Sequence, residues 1–333
     1  MRLLTLTALM IVSFQAAQAD SIKWLGQFPK EQAQPVVELF NSEYAQEAGF
    51  TVEYSSSDAD VNELLAGVDN KKADLVHLKD ADLLNIVSVK GLTTDLNADT
   101  LTILPNHLRD TSNQWAGLLK RARIIYYNSD YVSAADVQTY ESLGDAKFID
   151  KLCLRQKKAQ YTMSFNAFLL GSWGVEKTTR VLNAWAVNSE TIPLIEKDLE
   201  GVIQTVESGN CWVGVANTYY FMRHLKAVPN TKIVAVMPNQ NDIGAHVNVD
   251  GITILKSSGK QAQAQVFAKW LLSEKAQATL SQITDKFPAN PKVISSSLQK
   301  TFGPFKENTT FDLSRITGLK AEALEIATDA GLQ

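Results

Sequence analysis

Cys211-Trp212-Val213-Gly214-Val215-Ala216-Asn217-Thr218-Tyr219-Tyr220-Phe221 decides how the chain is read. The small, β-branched and apolar residues from Trp212 to Ala216 suit a strand covered on both faces. Asn217 or Thr218 can then cap a following helix. This sets two adjacent tyrosines at the carboxyl end of a strand, the edge where open α/β sheets take ligands. Neighbouring phenols can offer hard oxygen donors to a hard cation, and a bound cation ionises phenols that otherwise titrate near ~10. The dipeptide by itself also fits an aromatic pair that packs one ring and hydrates the other.

Outward from this stretch the pattern is α/β. Ser21 to Leu25 reads as a strand, followed by the loop Gly26-Gln27-Phe28-Pro29. Lys30 to Ala45 has helical spacing, with a core face at Val36, Val37, Leu39 and Phe40. Phe50 to Tyr54 is a second strand, Asn62 to Val68 a helix, and Ala73 to His77 a third strand with its exit loop. Strand-helix alternation of this kind gives parallel pairing with right-handed crossovers. Within Gln114 to Tyr127 the second half alternates and is β-branched, as a strand crossing between two sheets would be. A second α/β set follows. It comprises a strand from Phe148 to Leu154, helices from Met163 to Gly171, Glu176 to Val187 and Leu194 to Ser208, then the quoted strand and Ile233 to Met237. Val249 to Leu255 is a returning strand, Phe267 to Gln282 a helix, and Ala321 to Thr328 another. Two sheets joined by two crossings enclose a cleft and hinge. No repeat or long Gly/Pro linker interrupts the chain, so the lobes are expected to be interwoven.

Arg2, an apolar run from Leu3 to Phe14, and Ala17-Gln18-Ala19 before Asp20 make a secretory signal cleaved after Ala19. That run is too short to span a bilayer, and no later stretch approaches roughly 20 apolar residues. The mature protein is therefore expected to be exported and not membrane-embedded. The chain has 333 residues and 45% hydrophobic content, enough for a sizeable core. It carries 32 lysines and arginines against 36 acids; loss of Arg2 leaves 31 against 36, a net of −5. This balance argues against nucleic acid as a partner. Cys153 and Cys211, the only cysteines, argue for one disulfide in an exported chain, with two buried thiols as the other possibility. Neither forms a CxxC or Cys/His cluster of the zinc or redox kind.

Several stretches together resemble the periplasmic ferric-ion-binding proteins of iron ABC transporters. They are Gln114-Trp115-Ala116-Gly117 with Lys120-Arg121-Ala122-Arg123; Lys151-Leu152-Cys153-Leu154-Arg155 with Tyr161 downstream; Gly209-Asn210-Cys211 leading to Tyr219-Tyr220; Gly244 to Gly251; and Ser273-Glu274-Lys275-Ala276-Gln277. The resemblance covers essentially the whole mature chain. It implies a type II two-lobed periplasmic-binding-protein fold of the α/β class, each lobe a mixed sheet flanked by helices, joined by crossover strands. The division is 20–123 with 247–290 for the N-terminal lobe and 124–246 with 291–333 for the C-terminal lobe, after a 1–19 signal peptide. It also implies Fe(III) as cargo, Tyr161, Tyr219 and Tyr220 as ligands, an inner-membrane ABC permease as partner, a periplasmic location and a monomer. Three phenolates would cancel a 3+ charge and leave part of an octahedron open.

The N-terminal lobe departs from much of that family. Gln27-Phe28-Pro29-Lys30 stands where many members have histidine, or histidine and tyrosine, and Lys79 where some have glutamate. The closest match is a subgroup that fills these positions with carbonate or a similar anion. Arg123 is the leading anion residue, since a guanidinium binds carboxylate-like oxygens in two parallel bonds; Gln27 would add a donor, and Arg121 is a possible substitute. His77 is read as a satisfied loop histidine, His246 as a structural hydrogen-bonder, and His107 and His224 as solvated. Ser257-Ser258-Gly259-Lys260 matches S-x-x-K without its companion motifs, so an exported hydrolase is the weakest alternative. A binding protein of the same fold for an oxyanion or small organic acid is the stronger one.

Overall fold

The structure is a computed structural model that describes residues 20–57, 73–189 and 199–333. Its strands, in chain order, are β1 Asp20–Gly26, β2 Phe50–Ser56, β3 Leu75–Leu78, β4 Thr93–Thr94, β5 Ala116–Asn128, β6 Leu152–Cys153, β7 Val213–Asn217, β8 Ile233–Val236, β9 Val247–Leu255 and β10 Phe287–Pro288. β1 is parallel to β2 and to β3, as strand-helix alternation requires. β9 then enters antiparallel between β3 and the first half of β5. The path runs β2-β1-β3-β9-β5-β7-β6. Two lobes, each with a mixed sheet and flanking helices, share β5.

β5 holds the lobes together because it is covered along almost its whole length; of its residues only Lys120 is not buried. Residues Ala116 to Ala122 pair with β9, and Arg123 to Asn128 pair with β7 and β8. The change of partner at Ala122 and Arg123 places two arginines, Arg121 and Arg123, where the two sheets meet.

Helix α1, Lys30–Glu43, buries Val36, Val37 and Phe40 as the sequence predicts, with Ala33 in place of Leu39, which stays partly exposed. Helix α2, Ala81–Val89, starts from Asp80, whose carboxylate accepts the Asp82 N–H. Helix α3, Gln160–Ser189, is two helices interrupted at Gly174, which has φ 77° and ψ 173°. Only glycine takes that conformation readily, and the break falls between the two predicted helices. Helix α4, Leu199–Glu207, covers β7. Helix α5, Thr218–Ala227, follows β7 directly.

Some expectations need correction. The helix predicted from Phe267 to Gln282 is instead α6, Gln261–Leu271, and α7, Glu274–Thr284, parted by extended Ser273, whose hydroxyl accepts the Ala276 N–H. The strand predicted from Phe148 to Leu154 shrinks to Leu152 and Cys153, because residues 146–148 wind into a 3-10 turn and Asp150 has φ 58°. The C-terminal helix α8, Ile316–Asp329, is longer than predicted and packs along α3. The helix predicted from Asn62 to Val68, and the start of that from Leu194, lie outside the described residues. Cys153 and Cys211 form a disulfide with Cα atoms 5.8 Å apart, tying the edge strand β6 to the segment before β7.

Candidate metal centre

β7 runs directly into α5, whose first turn carries the paired tyrosines. Asn217 takes the N-cap position of α5 without a capping bond; its amide instead lies 3.5 Å from the Tyr219 hydroxyl. Tyr219 and Tyr220 occupy the first turn of α5, both buried, with ring centroids 4.2 Å apart and a hydrogen bond between their hydroxyls. Tyr161, in the first turn of α3, is half-buried. Its phenol lies within electrostatic reach of Tyr219 and Tyr220. The structure thus brings all three sequence-predicted tyrosines into one cluster. Burial pushes the pKa of Tyr161 and Tyr219 above the ordinary phenol value, and Arg121 only partly offsets it. Without a cation these phenols are neutral.

Arg121 is the hub of the polar residues around them. Its side chain is buried, donating to Asp250 at 2.7 Å and to Asp80 at 3.1 Å, with its guanidinium 4.7 Å from the Tyr161 ring centroid. Burial opposes its charge, but Asp250, Tyr161 and Asp80 outweigh that and raise its pKa. Asp80 also accepts from Ser164 at 3.0 Å and from Asn248 at 3.2 Å. Asp250 is pulled well below the usual carboxylate range, Lys286 and Arg121 overcoming the effect of burial. Lys286 makes an ion pair with Asp250 and sits 5.2 Å from the Tyr219 ring centroid. Arg223 lies over the Tyr219 and Tyr220 rings at 5.1 and 5.9 Å.

Arg123 differs from Arg121. It is 3% exposed, donates to the Tyr161 backbone carbonyl and stacks 5.3 Å from Phe165, but its Nε has no partner. Burial, reinforced by Arg121, lowers its pKa to about 10, so it stays charged at neutral pH. A buried guanidinium without a carboxylate is an anion-binding group in waiting. Gln27 is buried, and its side-chain carbonyl accepts the Lys79 N–H at 2.8 Å, which leaves its NH2 group as the end that can donate outward.

Phe28, on the opposite wall, stacks on His77 with centroids 3.7 Å apart. Burial lowers the His77 pKa to about 4, so this imidazole is neutral, and its Nε2 lies 3.8 Å from Asp250, beyond hydrogen-bond range. His246 is likewise buried between Phe165 and Phe168, and neither ring nitrogen of His77 or of His246 has a hydrogen-bond partner, which corrects the satisfied and hydrogen-bonding readings of these two side chains. The solvated reading of His107 and His224 is corrected. His107 contacts Glu307 at 3.2 Å, and His224 is buried against Glu207 at 3.0 Å and Thr231 at 2.8 Å. Among the described residues no group of three or more His, Cys, Asp or Glu side chains is arranged to hold a metal.

Sequence reasoning missed Asp80, Asp250 and Lys286. A usable signal existed for Asp250: a lone carboxylate inside Val247-Asn248-Val249-Asp250-Gly251-Ile252, a run otherwise fit for a covered strand, must find a cation within the core.

Comparison with known proteins places this geometry in context. Residues 39–303 match the family of bacterial extracellular solute-binding proteins. The chain is 32% identical over 269 residues to iron uptake protein A1 of Synechocystis, covering 79% of this chain and 74% of that one. It is 24% identical to the major ferric iron-binding protein of Neisseria meningitidis serogroup B, over 97% of this chain and 92% of the relative. A Trichodesmium protein solved in complex with iron and citrate ligands superposes with a TM-score of 0.86 at 26% identity, covering 94% of this chain and all of that one. A ferric binding protein from Campylobacter jejuni gives 0.80 at 26% identity, with the same coverage. These relatives are named for binding or uptake of a solute, not for catalysis. Family match and fold agree over most of the length, and the chain belongs to the bacterial extracellular solute-binding proteins.

Proposed function

We propose that this protein captures ferric iron in the periplasm on the phenolates of Tyr161, Tyr219 and Tyr220, with a carbonate-like anion at Arg123, and delivers it to an inner-membrane ABC permease. The observation that carries the reading is that Tyr161 and Tyr219 lie near one buried guanidinium, with Tyr220 against Tyr219, in a chain whose relatives are named for iron uptake and ferric iron binding. Three phenolates neutralise the ion. Arg121, Arg123 and Lys286, with Arg223 over the tyrosine rings, then outnumber Asp80 and Asp250, so the loaded centre carries surplus positive charge and favours an anion. Gln27 adds a donor to that anion.

The functional division is 20–123 with 247–290 against 124–246 with 291–333, with export directed by the 1–19 segment and cleavage after Ala19. The monomer is the working unit. Closure of one lobe on the other follows from contacts that the ion and anion make to both.

Iron-loaded protein is expected to be orange-red from phenolate-to-iron charge transfer. Tyr219→Phe combined with Tyr220→Phe should abolish the colour and lower ferric affinity by orders of magnitude. A colourless loaded protein, or a double variant that binds as well as the parent, would sink the reading. The cations around the phenols also suit a metal-free organic acid. Titration calorimetry with such acids in the absence of iron separates that second reading, since it needs tight binding without metal.

A further inference from the structure

The three tyrosines are placed by different means. Tyr219 and Tyr220 follow β7 without a break, so a covered strand sets where they stand. Tyr161 has no such support. It is the second residue of α3 and follows a loop, residues 154–159. Directly before the helix stands Ala159, whose methyl group cannot accept an N–H of the first turn.

What anchors this turn comes from across the proposed division of the chain. The Gln160 amide donates to Asp82 Oδ2 at 2.9 Å, and one turn further on the Ser164 hydroxyl donates to Asp80 Oδ1 at 3.0 Å. Asp80 and Asp82 stand at the N-terminus of α2, both buried, and the Asp80 carboxylate also accepts the Asp82 N–H at 3.0 Å. Two carboxylates thus lie against the first turn of α3, where negative charge suits the helix. Residues 160 and 164 are four apart and share one face of the helix, so their two bonds hold the turn at both ends with Tyr161 between them. Arg123 also donates to the Tyr161 carbonyl, and Arg121 lies 4.7 Å from its ring centroid. Both arginines belong to β5, where the sheets meet, whereas the Gln160 and Ser164 bonds exist only while α2 lies against α3.

We propose that Gln160 is a positioning residue for Tyr161: bonded to Asp82, and supported by Ser164 on Asp80, it ties the first turn of α3 to the opposite lobe and so aims the phenol at the ion. This rests on phenolate ligation of the ion by Tyr161.

The test measures ferric affinity, by competition with a chelator, and the charge-transfer band for the parent, Gln160→Met, Tyr161→Phe and the combined variant. Gln160→Met should bind iron about tenfold more weakly, the loss expected for a hydrogen bond to a charged partner. Its band should move to longer wavelength, toward that of Tyr161→Phe, because an ion with fewer phenolates is the stronger electron acceptor. In the Tyr161→Phe background the same substitution should change affinity by about twofold or less, since residues that act as a unit are not additive. Should Gln160→Met fail to fold, Ser164→Ala, which leaves Asp80 paired with Arg121, carries the same expectations. A loss of equal size in both backgrounds, or a band that stays where the parent's is, gives Gln160 no part in aiming the phenol and overturns the proposal while phenolate ligation stands. Tyr161→Phe with the parent's band and affinity instead overturns ligation by Tyr161, and this inference with it.

Discussion

His246 shows what a single buried side chain does to the pH response. Its ring lies 4.5 Å from that of Phe168 and 5.4 Å from that of Phe165, and neither ring nitrogen has a protein partner. Burial, with Arg123 and Arg121 nearby, lowers its pKa well below the ordinary value. The folded protein therefore refuses a proton that the unfolded chain accepts near pH ~6.5. The resulting stability is fully present above that pH and is lost as pH falls, by about 1.4 kcal/mol per pH unit. His77, lowered to about 4, adds a similar share over the same descent. Urea titrations of iron-free His246→Leu at about pH 6 and about pH 5 should show a pH slope reduced by roughly one histidine's share. An unchanged slope would mean that the imidazole is protonated in the fold. Tyr219 and Tyr220 could be placed at a strand's carboxyl end from the sequence because they are adjacent and follow a covered strand, whereas Tyr161 was reached only through the family resemblance. Lys286 could not, because its role arises from the turn at Asp285 and from a partner, Asp250, on a different strand.

At the scale of elements, periodicity revealed most helices, but not where they stop. Phe267 to Gln282 keeps an apolar rhythm across Ser273, and only the hydroxyl at that position, accepting the Ala276 N–H, announces a new helix. Ser273→Ala should lower stability by about 1 kcal/mol in chemical denaturation, the usual loss for a cap of this kind. β6 was overread for the opposite reason: its apolar residues suit a strand, yet the turn at Asp150 leaves room for only two residues of pairing with β7. Gly214 lies opposite Cys153 on that pair, and a Cβ there would meet Val202 Cγ1 at 2.7 Å and the Cys153 carbonyl at 3.2 Å. Gly214→Ala should therefore destabilise by about 1–3 kcal/mol through overpacking. It should also perturb the start of α5 enough to weaken iron binding. A melting temperature equal to the parent's would show that α4 can yield.

For the whole molecule the deciding quantity is the balance between open and closed lobes. Several contacts cross the proposed division. Asp82, at the start of α2, receives Lys320 at 2.6 Å and Gln160 at 2.9 Å; Asn85 donates to the Leu313 carbonyl at 2.9 Å; and Lys226 reaches Asp285 at 2.7 Å. Asp82 is fully buried and Lys320 mostly so, which makes this pair worth more than an exposed one such as Lys226 with Asp285. Its loss should act on closure and not on the coordination sphere, since neither residue touches the tyrosines. Lys320→Met is expected to shift the equilibrium toward the open form and to weaken iron binding by about tenfold, equivalent to about 1.4 kcal/mol of differential stability between the states. The charge-transfer maximum of the loaded protein should be unchanged, because the phenolates are intact. Solution scattering of the iron-free variant should give a larger radius of gyration than the parent, and iron should bring both to the same value. If affinity falls while the iron-free radius stays the same, the Asp82 pair does not set the balance between open and closed forms, and the contacts that hold the cleft shut must be sought at Asp80 and Ser164 instead.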